Sequence, residues 1–247
     1  MIFTLEFGDY TFPNQTFEVD TSASINSVKE ENIVRQHGAV VQTPFLKAKR
    51  FKVKGIIHNT TNAASLSELD DMQQNLLADK NSFRDRADRE IEAYVKKVTA
   101  KPELGSDKAI LNLVIDMVAP IPFFTTVGAS VETAFTLLDG VCLFDLAVGG
   151  NAFAEPKIYI HANGGTINDD FQLFNITNQN QLFKFRGTIV DGETVVIDTK
   201  ELTVLNDGVD GISDFEGDFL NLLAGTNEFS FAGSTCLLTF ERKNRWY

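Results

Sequence analysis

Hydrophobic and polar residues alternate with a period of two through several stretches of the first half of the chain. In KRFKVKGII, Phe51, Val53, Gly55 and Ile57 fall on one face and Arg50, Lys52 and Lys54 on the other, the pattern of a half-buried strand. In ILNLVIDMVAP, Leu111, Leu113, Ile115 and Met117 oppose Asn112, Val114 and Asp116, and Pro120 and Pro122 stop the run. IFTLEFGDYTF and DRADREIEAYVKKV read as further strands. One segment changes period. SLSELDDMQQNLLADKNSF sets Leu66, Leu69, Met72 or Gln73, and Leu76 at helical spacing, and Ser65 with Glu68 forms a capping-box signature. A single helix over residues 65–80 follows, its apolar stripe a core face. The lysine-bearing face of KRFKVKGII reads as edge protection in preference to a nucleic-acid contact.

The second half holds only short apolar runs. EPKIYIHA, DFQLFNITN, QLFKFRGTIV, ETVVIDT, KELTVLN, NEFSFAG and STCLLTFERKN are strand candidates, separated by NGG, NQN and GTN turns and by Asp191-Gly192. Asp-Gly between two apolar runs signals a hairpin. Strands at this spacing predict a β-sandwich over residues 131–247. Residues 1–130 form a separate α+β domain with one helix, and the boundary falls within Thr125 to Val131. The fold class is mainly β.

Composition supports this. Phe occurs 21 times against 4 Tyr and 1 Trp, which favours pleated, half-buried surfaces over disorder. The N-terminus shows no signal-peptide pattern, and the run VIDMVAPIPFF is too short and too broken to insert in a membrane. Cys142 and Cys236 lie in apolar surroundings without metal-ligand spacing; they read as buried free thiols, with one long-range disulfide the alternative. The net charge of −12 is uneven: residues 1–130 carry 15 Lys+Arg against 17 Asp+Glu, residues 131–247 carry 7 against 17. That acidity argues against wrapping DNA by phosphate neutralisation.

Candidate chemistry is sparse. His37, His58 and His161 are scattered, and no HExxH, G-x-S-x-G, P-loop or GxGxxG is present. The densest acidic stretch, NDGVDGISDFEGDF, holds Asp207, Asp210, Asp214, Glu216 and Asp218, but two places after Asp207 stands Val209, which breaks the calcium-loop frame. Asp70/Asp71 and Asp169/Asp170 are further acidic pairs; a glycosidase needs two carboxyls facing one another across a sugar, which spacing in sequence does not supply. The acidic stretch reads as a solvated turn, with Asp207-Gly208 a tight turn of the sandwich.

The order of motifs is more telling. VKGII, a capped helix, EAYVKKV and LNLVIDMVAPIPFF are followed by AEPKIYIHANG, FNITNQNQLFKFRGTIVDGETVVIDTKELTVLNDG, FLNLLAGTNEFSFAG and LLTFERKNRWY. In this order, over nearly the whole chain, they resemble the distal tail protein (Dit) family of phages with long non-contractile tails. The resemblance implies an N-terminal belt domain related to tail-tube proteins and a C-terminal galectin-like β-sandwich. It implies a hexameric ring joining the tail tube to the tip or baseplate of the virion, with DNA passing through without specific binding. Tail tube protein, tail-tip proteins and receptor-binding proteins are the implied partners. Gly192, Glu193 and Asp198 match a G-E-x-V-x-I-D step, Asn206, Asp207 and Gly208 the following turn, and Gly225 and Asn227 a G-x-N turn. All are structural positions. The chain departs from the family at Ala119 to Phe123, where A-P-I-P-F replaces a D-P-F element.

No catalytic residue, cofactor or metal site is expected, and the DNA-facing channel is expected to be neutral or weakly negative. Two rival readings remain. A carbohydrate-binding module would suit a galectin-like sandwich, although the one Trp is Trp246, and sugar platforms favour exposed Trp or Tyr. A glycosidase or calcium module would rest on the acidic stretch.

Overall fold

The computed structural model describes residues 5–12, 17–20, 48–77, 80–103, 109–168 and 171–247, together with the backbone of 26–27, 30–32, 39–41 and 45–46. The chain divides into two compact units, residues 1–127 with Tyr247, and residues 128–246. The helix count and strand content place it in the mainly β class among the described residues.

In the first unit the strands are β1 (Glu6–Phe7), β2 (Tyr10–Thr11), β3 (Glu18–Asp20), β4 (Asn26–Ser27), β5 (Glu30–Asn32), β6 (Ala39–Val41), β7 (Phe45–Leu46) and β8 (Lys49–His58). After helix α1 (Asn62–Leu76) come β9 (Asn81–Arg86), β10 (Arg89–Pro102), β11 (Ile110–Ala119) and β12 (Phe124–Thr126). The main sheet runs β2-β1-β9-β10-β11-β8-β3, its pairings antiparallel. The alternation read from sequence is real: Phe51, Val53, Ile57, Leu111, Leu113, Ile115 and Met117 are buried, and Arg50, Lys52 and Lys54 are exposed. Lys49, next in the same alternation, points inward and is 2% exposed. Its ammonium lies 4.9 Å from the Phe124 ring centroid, and Arg89 sits 4.5 Å from the same ring. Burial, then the neighbouring Arg89 charge, push the Lys49 pKa down.

Helix α1 begins earlier than its sequence signature. The N-cap is Thr61, whose hydroxyl accepts from the Ala64 N–H at 3.2 Å. Ser65 is not a cap: it is fully buried inside the first turns and donates to the Ala109 carbonyl at 2.5 Å, fastening the helix to the entry of β11. Glu68 accepts from the Asn59 amide at 2.6 Å in place of the expected capping contact. Met72 and Leu76 form the buried stripe, whereas Leu66 is 46% exposed. The helix ends at Leu76, and residues 78–79 of the expected segment lie outside the described residues.

The second unit contains β13 (Val131–Leu137), β14 (Gly140–Val148), β15 (Lys157–Ala162), β16 (Ile167–Asn168), β17 (Phe171–Asn175), β18 (Gln181–Phe185), β19 (Thr188–Ile189) and β20 (Thr194–Asp198). These are followed by β21 (Thr203–Asn206), β22 (Val209–Asp210), β23 (Phe215–Gly217), β24 (Gly225–Gly233), β25 (Cys236–Arg242) and β26 (Arg245–Trp246). Two antiparallel sheets, β13-β25-β15-β20-β21-β22 and β14-β24-β17-β18-β23, share one core. Phenylalanine fills it: Phe171, Phe183, Phe185, Phe229, Phe231 and Phe240 are buried, and Phe144 stacks on Phe229 at 5.2 Å. The first two strands, β13 and β14, escaped the sequence reading.

Candidate functional site

The turn motifs build the scaffold of the second unit. Asp207 and Gly208 have φ of 46° and 80°, and Asn206 pairs directly with Val209, so they form the two-residue hairpin between β21 and β22. Asp191-Gly192 does not make a hairpin. The strands beside it pair elsewhere, β19 with β16 and β20 with β15 and β21. It is a turn closed by the Glu193 N–H on the Val190 carbonyl at 2.9 Å. The Asp191 carboxylate accepts from the N–H groups of Gly164 and Gly165 at 3.0 and 3.1 Å, tying this turn to the NGG turn. Glu193 accepts from the Val190 N–H at 3.0 Å.

Asp198 fixes the turn after β20 by accepting from the N–H groups of Lys200 and Glu201 at 3.1 and 3.0 Å. It also pairs with Lys157 at 3.2 Å. Burial works against its ionisation, but the two N–H donors and Lys157 outweigh it and hold the carboxyl below its ordinary range. Beside it the Tyr159 hydroxyl donates to Glu241 at 2.5 Å. That bond, with burial and the Glu241 charge behind it, pushes the Tyr159 pKa up to about 12.

Gly225 and Asn227 belong to a larger device that the motif did not disclose. Asn227 and Asn175 are fully buried between strands. Asn227 accepts from the Leu223 N–H at 2.9 Å and donates back to the Leu223 carbonyl at 2.8 Å. Asn175 donates to the Asn221 carbonyl at 3.1 Å, and Asn178 donates to that carbonyl and to the Gln181 side chain, each at 3.0 Å. Gln181 in turn accepts from the Asn221 N–H at 3.1 Å. Four amides thus satisfy a loop that Leu220 and Leu222 bury, so the FLNLL segment is a pinned loop with a single bridge to Ala154.

The acidic stretch is dispersed over this scaffold. Asp210 accepts from the Ile212 N–H at 3.1 Å, Glu216 pairs with Arg186, and Asp218 accepts from the Leu182 N–H at 3.3 Å. Residues 215–217 are themselves a strand against β18. Among the described residues no three His, Cys, Asp or Glu side chains are placed to hold a metal ion. Cys142 and Cys236 are free thiols, half-buried and buried respectively. His161 lies 3.0 Å from the Thr194 hydroxyl. His37, Asp169 and Asp170 lie outside the described residues.

The most distinctive surface belongs to the first unit, on the sheet face opposite Phe51 and Leu113. Cross-strand register aligns Asp20, Lys52, Asp116 and Lys97 in one row over β3, β8, β11 and β10, with alternating sign. Lys52 lies 3.5 Å from Asp116, and Lys54 lies 3.3 Å from Asp20. A β-bulge interrupts β10 between Val95 and Lys97, and beside it a cleft of about 560 Å³ is lined by Arg50, Lys52, Lys96, Lys97, Asp20 and Asp116 over Phe51, Met117 and Val118.

Comparison with known proteins bears on this architecture. Residues 149–246 match the model of the siphovirus-type tail component, C-terminal domain. No curated protein matches the chain. Among solved structures, the Dit protein of phage SPP1, described as a paradigm of hub adsorption apparatus in phages that infect Gram-positive hosts, aligns over 100% of both chains with a TM-score of 0.71 at 12% identity. Chains of the phage p2 baseplate in its activated conformation align less well: that with calcium at a TM-score of 0.36 and 8% identity, covering 98% of this chain and 90% of the other, and that with strontium at 0.39 and 7%, covering 97% and 90%. The chain therefore matches the siphovirus-type tail component family over residues 149–246, and over its full length it shares the fold of the Dit protein of phage SPP1.

Proposed function

We propose that this chain is the structural hub at the distal end of a long, non-contractile phage tail. Six copies close a ring through their first units, between the tail tube and the tip or baseplate proteins, and DNA passes through the hole. The first unit serves as the belt domain and the second as a galectin-like platform for neighbouring tip or receptor-binding proteins. The observation that carries this reading is the full-length correspondence of both units to a hub protein's fold. The side chains support it: those that the motifs single out are spent on turns and loop anchors, as suits a scaffold.

A head-to-tail interface that closes at sixfold rotation makes a ring and leaves no open end. Light scattering after size exclusion, with negative-stain images of the same peak, tests this. A mass near six times the 27.4 kDa chain, or rings seeded on purified tail tubes, is the expected outcome. A monomer that neither closes nor docks on tubes refutes it. For the carbohydrate reading, Tyr159 and Trp246 are half-buried, whereas Tyr94 and Tyr247 are 45% and 43% exposed, and a glycan array tests it.

A further inference from the structure

The row of alternating charge on the first unit's sheet suits a surface that nucleic acid must pass without sticking, yet the cleft beside it keeps a cationic excess, with Arg50, Lys52, Lys96 and Lys97 against Asp20 and Asp116. In a regular strand, successive side chains point to opposite faces. The bulge breaks that rule in β10. Val95 opposes the buried Met117, Lys97 opposes the outward Asp116, and Lys96 is inserted between them. Lys96 and Lys97 are therefore consecutive and both exposed. Bulges re-aim side chains in this way, often beside functional sites. Arg50, exposed on β8, opposes Val118 on β11, and Val118 opposes Tyr94, two residues before Lys96. The two ends of the cleft are thus cationic, about 10 Å apart across the intervening strand. Lys52 and Lys54 are held by carboxylates, but no ion pair among the described residues engages Arg50, Lys96 or Lys97.

We infer that this cleft is a phosphate-contact site for nucleic acid, at which Arg50, Lys96 and Lys97 neutralise backbone phosphates weakly and without reading bases. The choice of nucleic acid as the polyanion rests on the hub reading. The three of the cleft's four cations that no ion pair among the described residues engages answer to phosphate chemistry whatever the assembly. Its setting, in a chain of net charge −12, confines attraction to this patch and keeps the contact reversible. The expected edge protection by the lysine-bearing face of β8 does not hold, since β8 lies between β11 and β3 and its Lys52 and Lys54 pair with Asp116 and Asp20 of those strands.

The test is fluorescence anisotropy of a labelled 20-base-pair DNA against the full chain, from 25 to 200 mM salt. Wild type is compared with Lys96→Gln/Lys97→Gln, with Arg50→Gln, and with Lys200→Gln on the second unit as control. The expected result is binding that weakens at least five-fold in the double variant, with the slope of log affinity on log salt falling by about 1.8, roughly 0.9 per lost phosphate contact. Lys200→Gln should bind as wild type does. Absence of binding at 25 mM salt, or binding indifferent to the cleft variants, overturns the proposal; so does capture of an acidic protein surface by the cleft in place of DNA. The same preparations are imaged for rings. Rings without DNA binding reject the cleft alone, and DNA binding by a chain that neither forms rings nor docks on tail tubes rejects the hub reading while the cleft stands.

Discussion

Asn227 shows how much one side chain can hold at the residue scale. It replaces a missing strand by giving the Leu223 peptide both an acceptor and a donor from a side chain that is itself buried. Truncating it removes both hydrogen bonds to the partly exposed Leu223 peptide, each contributing about 0.5–1.5 kcal/mol. Asn227→Ala is expected to lose about 1–3 kcal/mol in urea unfolding. Asp198 acts through charge. Its folded pKa lies below the unfolded value, so its stabilisation is complete at neutral pH and disappears as pH falls through the folded pKa, below about pH 4. Asp198→Asn should flatten the acid limb of a stability profile in that window, and an unchanged limb would show that the Lys200 and Glu201 N–H bonds do not hold the charge. In sequence, Asn227 was legible only as part of a turn. Nothing in a G-x-N spacing tells that the Asn faces inward, because its partners are backbone groups of a loop four residues away. The bulge at Lys96-Lys97 was equally hidden, since two consecutive lysines look like any solvated pair.

Elements were legible where one face meets a core and the other meets water. β8 and β11 followed their alternation closely because the register of the sheet permits no other burial. β13 and β14 did not announce themselves. Val141 and Leu143 are each 74% exposed, while Cys142 and Phe144 beside them are only half-buried, so hydrophobicity shows no contrast between the faces. The helix was found but misplaced at its start. Ser65-x-x-Glu68 satisfies the capping pattern, yet Thr61 takes that role and Ser65 is spent on a tertiary bond to Ala109. Ser65→Ala should therefore cost about 1 kcal/mol through the lost bond to the Ala109 carbonyl, which keeps the Asn59 N–H as a donor at 3.2 Å, and Thr61→Ala about 1 kcal/mol through the lost cap. Helical circular dichroism separates the two: fraying at the N-terminus is expected only for Thr61→Ala.

For the whole molecule, the two units differ in how they use charge. The first places cations and anions in register across a sheet, and the second commits its carboxylates one by one to backbone N–H groups of turns. Asp191, Glu193, Asp198, Asp210 and Asp218 of the acidic second half are used in this way among the described residues. Such chemistry needs no partner, which is why counting charges along the chain located the excess but not its use.

One feature of the topology bears on how the molecule comes into being. β25 is made later than the two strands it separates, β13 and β15, yet it lies between them and opposes residues 131–137 on one side and 157–162 on the other. While residues 236–242 are still inside the ribosome, the six-stranded sheet is split, with β13 stranded from the rest and Phe240 and Leu238 missing from the interior. The shared core of the second unit therefore closes only once β25 is added. Its packing completes in a single late event, and until then the first unit is the part of the nascent chain able to fold.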